Sequence, residues 1–232
     1  DAALYRAKQT GRNTYQFYKA DMTAKALERL SLETRLRRAL ERDEFFLLYQ
    51  PQVGIASNKM VGVEALLRWN HPALGLVSPL EFVPLLEETG LILPVGEWVL
   101  RSACEQAKHW WSAGACPFSM AVNVSAYQLQ SPGLVPLVET LVSECGDQPA
   151  GCHIELEITE TLLMENARES TLQLEALVAM GVGVAMDDFG TGYSSLSYLK
   201  RFPIDKVKID RSFISDVTTD SDAAAIAVAI IA

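Results

Sequence analysis

The chain has 232 residues, 49% of them hydrophobic, which is enough for one sizeable core or for one domain with a piece of another. No apolar run reaches the length of a membrane span, and no signal peptide opens the chain. The net charge of −9 is uneven, with 10 Lys/Arg against 7 Asp/Glu in residues 1–45 and 10 against 22 in residues 46–232. The body is therefore a poor match for bulk nucleic acid, and it would meet a phosphate ester only through bridging cations.

Residues 1–18 read as a short helix, a Gly11-Arg12-Asn13 turn and an alternating strand at 14–18. That is too little to fold alone, so the tail of a preceding domain is expected there. Residues 21–44 are charged, with Met22, Ala26, Leu27, Leu30, Leu36 and Leu40 near helical spacing, and read as a linker helix over 19–44. From residue 45 onward, apolar runs alternate with helical patterns. The spacing predicts strands at 45–53, 60–68, 118–124, 153–158, 182–187 and 205–210. It predicts helices near 79–89, 94–113, 134–145, 164–180, 194–200 and 211–216, and another from about 221.

Strands alternating with helices imply βαβ units and a parallel sheet. The first two strands are joined only by the Ala56-Ser57-Asn58 turn region, too short for a crossover, so they should pair antiparallel. Six strands are visible, and the sequence stops at Ala232 inside an apolar helix pattern. A closed eight-stranded barrel needs about two more βα units of roughly 20–40 residues each. The reading therefore expects a piece of something longer, whereas an open doubly wound sheet needs no more strands. No GxGxxG follows the first strand, so a dinucleotide-binding fold has little support.

A polar residue intrudes where each later apolar run ends. Glu64 follows Val61-Gly62-Val63, Asn123 follows Ala121-Val122, and Glu157 lies in Leu156-Glu157-Ile158-Thr159-Glu160. Asp187 and Asp188 end the fifth run before Phe189-Gly190-Thr191-Gly192, and Lys208 and Asp210 lie in the sixth. In a barrel of parallel strands these ends share one mouth, where active sites sit. Two adjacent acids repel, and burying them unpaired is costly, which points to a cation between them.

The donors are all oxygen, which suits Mg²⁺ or Mn²⁺ rather than zinc. Asp187 is placed to bridge two ions, with Asp188 serving the second. Lys208 is placed to hold an attacking water, and Arg68 to take a phosphate oxygen. Singly, each residue has a plainer reading, such as a surface glutamate, a capping asparagine or a solvated lysine; five in successive strands do not. The cysteines Cys104, Cys116, Cys145 and Cys152 form no CxxC and no zinc spacing with the three histidines, and read as free thiols of a reducing cytosol. Trp69, Trp98, Trp110 and Trp111 read as packing residues, Trp69 lying near enough to Glu64 in sequence to line the mouth.

Glu64-Ala65-Leu66 with Arg68, Asn123-Val124-Ser125, Glu157-Ile158-Thr159-Glu160, Asp187-Asp188-Phe189-Gly190-Thr191-Gly192 and Lys208-Ile209-Asp210 resemble the EAL family. These are bacterial phosphodiesterases that hydrolyse cyclic di-GMP to linear pGpG. The resemblance runs from about residue 30 to the end. It implies a (β/α)8 TIM-like barrel with an antiparallel first strand, incomplete at the C-terminus, over 45–232. It implies two Mg²⁺ or Mn²⁺ ions held by Glu64, Asn123, Glu157, Asp187 and Asp188, with Glu64, Asp187 and Lys208 catalytic. Gln50, Arg68 and Asp210 match substrate-contacting positions, and Glu160 matches the glutamate that holds the loop after Asp187-Asp188.

The same resemblance implies a homodimer coupled through that loop. It makes residues 1–18 the end of a GGDEF domain, with a sensory domain further upstream. The chain is expected in the cytoplasm, any inner-membrane tether being supplied by an upstream segment of the parent. A cyclic di-GMP receptor without turnover is the alternative reading. Two further family positions, a glutamate on the next strand and a later glutamine, fall beyond Ala232.

Overall fold

The structure, a computed structural model, describes residues 20–115, 117–146, 152–165, 167–190, 202–215 and 217–218. The elements expected in residues 1–18, the helix near 194–200 and the helix from about 221 lie outside the described residues, as does Cys116. The chain divides into two compact units. One comprises the described part of Asp1–Phe46 with Arg68–Leu91, the other Leu47–Leu67 with the described part of Ile92–Ala232.

In the first unit, helix α1 (Ala20–Ala39) packs on α2 (Pro79–Thr89) and buries Leu36 and Ala39. Arg29 of α1 is ion-paired to Glu88 of α2. Phe45, Trp69 and Phe82 form the aromatic core, with centroids 5.8–6.1 Å apart. The buried Trp69 indole N–H donates to Glu44 Oε2 at 3.0 Å, which meets its need for a partner. Proline opens α2, and Gly90 closes it in the left-handed conformation (φ 74°) while donating to the Glu87 carbonyl.

The second unit holds the sheet. Strand β1 (Phe45–Gly54) neighbours β2 (Lys59–His71), and four residues join them, which can only turn the chain back antiparallel. Strands β4 (Ser119–Asn123), β5 (His153–Thr159), β6 (Gly183–Phe189) and β7 (Lys206–Ile209) then follow β2 in parallel, in the order β1-β2-β4-β5-β6-β7. The short β3 (Gly75–Val77) pairs with the far end of β2 and belongs to the first unit. Helices α3 (Ile92–Ser112), α5 (Leu134–Cys145) and α7 (Ala167–Ala179) precede β4, β5 and β6 respectively, as parallel connections require.

Met120, Ala121, Val122, Leu156, Ile158, Val184, Ala185 and Met186 are buried. These apolar runs lack alternation because both sheet faces are covered. The buried stripe of α3 runs through Val95, Val99, Ala103 and Ala107, four residues apart, so one face meets the core. Among the described residues, no helix is long and apolar enough to cross a membrane. Cys104 and Cys152 are buried free thiols and Cys145 is half-buried.

Three elements depart from expectation. The helix expected over 164–180 corresponds to α7, and a short helix, α6 (Glu160–Glu165), lies before it. The chain leaves β5 directly into α6 at Glu160, whose carboxylate is buried. Strand β3 and helix α4 (Ala126–Leu129), three and four residues long, are too short to show any periodicity. Yet α4 carries a legible signature, Ser125-x-x-Gln128, and forms that capping box: Gln128 N–H donates to Ser125 Oγ and Ser125 N–H to Gln128 Oε1. Arg211–Ser215 forms the last described helix, α8.

Gly96 of α3 faces this capping box. A Cβ there would come within 2.1 Å of Gln128 Nε2. Gly96→Ala should therefore dislodge Gln128 and lose the box. Overpacking of about 1–3 kcal/mol outweighs the ~1 kcal/mol of helix propensity that alanine restores. Urea unfolding is expected to show net destabilisation, and a stabilised Gly96→Ala would refute the close approach.

Candidate metal centre

Register partners in a parallel sheet share a face, as do residues two apart along a strand. Glu64 on β2 pairs with Ala121 on β4; two residues on, Asn123 pairs with Glu157 on β5. Glu157 in turn pairs with Ala185 on β6, which pairs with Lys206 on β7. Glu64, Asn123 and Glu157 thus lie on one face, towards the C-terminal ends of β4 and β5.

Asp187, two residues beyond Ala185, joins that face, and an irregularity against β7 follows it. Met186 pairs with Val207 and Phe189 with Ile209, so Asp187 and Asp188 together oppose the single residue Lys208. This is a β-bulge, which re-aims side chains and bends the strand. Asp188 takes a left-handed φ of 53°, a conformation costing a non-glycine residue about 1–2 kcal/mol. Its N–H donates to Asp187 Oδ1 at 2.9 Å. Gly190 follows at φ 100°, where a Cβ would meet the Phe213 ring at 2.7 Å. The Gly190 N–H donates to the buried Glu160 Oε2 at 2.8 Å, tying the end of β6 to the start of α6.

The carboxylates converge. One oxygen each from Glu64, Glu157 and Asp187 lies within 4.8 Å of the others. Lys208 Nζ sits among them and donates to Glu157 Oε2 at 2.6 Å, Asp187 Oδ2 at 2.9 Å and Glu64 Oε2 at 3.3 Å. Asn123 Nδ2 donates to Glu64 Oε1 at 2.8 Å. The Glu157 side chain has no solvent exposure, and its Oε1 has no hydrogen-bond partner among the described residues. A buried carboxylate oxygen left unpartnered is costly and calls for a cation.

Burial pushes the Glu157 carboxyl up to about 7; Lys208 opposes this, and the charges of Glu64 and Asp187 reinforce it. The Lys208 ammonium is held above its ordinary range by Glu157, Asp187 and Glu64, against the cost of its own burial. Asp188 is raised, first by burial and then by Asp187 and Asp210. Asp210 is lowered, because its carboxylate accepts hydrogen bonds from the Ser212 hydroxyl and N–H.

Seven of the ten residues singled out from the sequence fall in or beside this cluster: Glu64, Asn123, Glu157, Asp187, Asp188, Lys208 and, through Gly190, Glu160. Asp210 lies one residue past the end of β7 and caps α8. Gln50 is exposed on β1, and Arg68 is half-buried on β2 within the first unit. Trp69 is fully buried there. The sequence reading passed over Glu155 and Lys206, which form an ion pair of 2.8 Å with Glu155 buried. Their signal was parity: each stands two residues before a member of the cluster, on the same face.

The family model described as EAL domain matches residues 33–232. The chain is 50% identical to the bifunctional diguanylate cyclase/cyclic di-GMP phosphodiesterase MucR of Pseudomonas aeruginosa, over all of this chain and 34% of the relative. It is 38% identical to the cyclic di-GMP phosphodiesterase PdeR of Escherichia coli, over 94% of this chain and 32% of the relative. The chain spans about one third of the length of these curated relatives.

A solved structure described as "PaMucR Phosphodiesterase, c-di-GMP complex" superposes with a TM-score of 0.82 at 50% identity, covering 87% of this chain and 81% of that one. The cGMP-bound form of the EAL enzyme Bd1971 superposes at 0.80 with 34% identity, covering 90% and 57%. These matches assign the fold class expected from the sequence, the (β/α)8 TIM-like barrel.

The Glu157 shift contributes to the pH dependence of the metal-free protein. Its folded value of about 7 exceeds the ordinary 4.5. Between those values the folded chain keeps a proton that the unfolded chain releases, so stability is lost as pH rises through that window. In chelator, the urea midpoint should fall from pH 5 to pH 7.5, and Glu157→Gln should flatten the fall. A slope untouched by the substitution would contradict this assignment.

Proposed function

This chain belongs to the EAL domain family, and from that premise we propose that it hydrolyses cyclic di-GMP to linear pGpG with Mg²⁺ or Mn²⁺. The observation that carries the reading is the convergence of Glu64, Glu157 and Asp187 around a buried, unpartnered oxygen of Glu157. The names of two relatives and the cyclic di-GMP complex of the structure described as PaMucR support the substrate.

The donor set fits a hard divalent cation, being all oxygen: Glu64, Glu157, Asp187 and Asp188 carboxylates and the Asn123 side-chain carbonyl. When bound, such ions supply neutralisation of phosphate charge and acidification of water. The chain's own residues do the rest. Lys208 presents an ammonium at the cluster, able to hold the attacking water once one of its three donors leaves a carboxylate. Asp187 presents two oxygens, Oδ2 towards Lys208 and Oδ1 towards the Asp188 N–H. Glu160 fixes Gly190 N–H and thereby the chain that follows Asp187 and Asp188. Arg68 is assigned to a phosphate oxygen and Gln50 and Asp210 to further substrate contacts. In-line attack on one phosphodiester bond then inverts phosphorus and releases the linear dinucleotide.

In the parent, residues 1–18 are assigned to the end of a GGDEF domain and 19–44 to the linker. The relative whose name joins a diguanylate cyclase to a phosphodiesterase supports this arrangement. A homodimer that meets near the loop after Asp188, and an upstream sensory domain, complete the reading.

Turnover tests it. The full-length parent incubated with cyclic di-GMP and Mn²⁺ should yield pGpG by chromatography. Glu64→Gln and Asp187→Asn should each lower kcat by about 100-fold or more, as loss of a direct ligand exceeds the 10–100-fold typical of its supports. Near-normal turnover by Asp187→Asn would remove it from the metal set. Binding of cyclic di-GMP without product would make the protein a receptor.

A further inference from the structure

We propose that the Lys208 ammonium is the resident cation of the three-carboxylate centre, and that a divalent ion enters by displacing it. This rests on the reading that the centre takes Mg²⁺ or Mn²⁺. An inventory of oxygens carries it. Each of the three carboxylates spends one oxygen on Lys208, at 2.6, 2.9 and 3.3 Å. Of the three oxygens that remain, Glu64 Oε1 accepts from Asn123 and Asp187 Oδ1 accepts from the Asp188 N–H. Glu157 Oε1 alone is left.

A small hard cation demands several oxygens at about 2.1 Å in near-octahedral array. Water, Asn123 and Asp188 can fill part of that array, but the carboxylate oxygens Glu157 Oε2 and Asp187 Oδ2 face the ammonium, so they turn to the ion only as the ammonium leaves. An ammonium and a divalent ion set against the same oxygens repel each other at contact distance, so the ion's arrival drives the ammonium out. Lysine suits the part: it is a compact charge on a flexible stem, and its side chain here is 24% exposed, which leaves it a way out.

The device has two consequences. Without metal the ammonium offsets part of the carboxylates' charge, so β2, β5 and β6 remain drawn to β7. With metal the ammonium is freed at the mouth, available to water or phosphate only once the centre is loaded. Metal affinity is then a competition between the ion and Lys208.

Two measurements decide it. In titration calorimetry of chelator-treated full-length protein, Lys208→Met should bind Mn²⁺ about tenfold or more tightly than the unaltered protein, within the range that neighbouring groups shift metal affinity. Lys208→Met also removes the positive charge, so displacement itself is read on the unaltered chain. Acetic anhydride labelling of Lys208, followed by peptide mass spectrometry, should rise several-fold when Mn²⁺ is added. Equal or weaker Mn²⁺ binding by Lys208→Met overturns the proposal. So does labelling that Mn²⁺ leaves unchanged, since the ion would then be using Glu157 Oε1 with the lysine in place. Failure of both proteins to bind Mn²⁺ overturns the metal reading beneath it.

Discussion

Lys208 donates from one ammonium to three carboxylates carried by three other strands, Glu64 on β2, Glu157 on β5 and Asp187 on β6. In a site where Glu157 is wholly buried, such carboxylates repel each other, and each pays for leaving water. A positive charge at the point of convergence is what lets them stay. Breaking a buried ion pair by removing one partner costs about 3–5 kcal/mol, because the other charge is stranded. The strand order follows the same demand, since only a parallel sheet brings the ends of β4, β5, β6 and β7 to one side.

The centre depends on backbone irregularity as much as on charge. A regular β6 would send Asp187 and Asp188 to opposite faces and set each against its own partner on β7. The bulge instead opposes both to Lys208 and holds Asp188 at a positive φ. That strained turn is held from below by the Glu160–Gly190 hydrogen bond and from the side by Phe213, which fills the space a Cβ at Gly190 would need. Beneath the cluster the Glu155–Lys206 pair repeats the Glu157–Lys208 pair two residues back. Two acid–base rungs therefore cross the gap between β5 and β7.

Much of this was legible because buried parallel strands carry unbroken apolar runs, against which a charged residue stands out. Glu64, Asn123, Glu157, Asp187 and Lys208 were visible as intrusions, and the short connection between β1 and β2 announced their antiparallel pairing. Glu155 and Lys206 intrude equally but stand two residues before Glu157 and Lys208, away from the strand ends that face a barrel's mouth. Helix α6, six residues long, is too short to show a periodicity of its own. Strand β3 exists only because the far end of β2 offers it partners.

What the sequence by itself determined is the alternation of strands and helices, the antiparallel start and the roster of oxygen donors, since these follow from local periodicity and residue chemistry. The family likeness rests on the same local motifs. Only the tertiary structure decided which donors meet, that Lys208 occupies their centre, and that Glu157 keeps one buried oxygen without a partner. Those outcomes depend on register. A single step of register turns every side chain to the other face of its strand, and no local pattern records that choice.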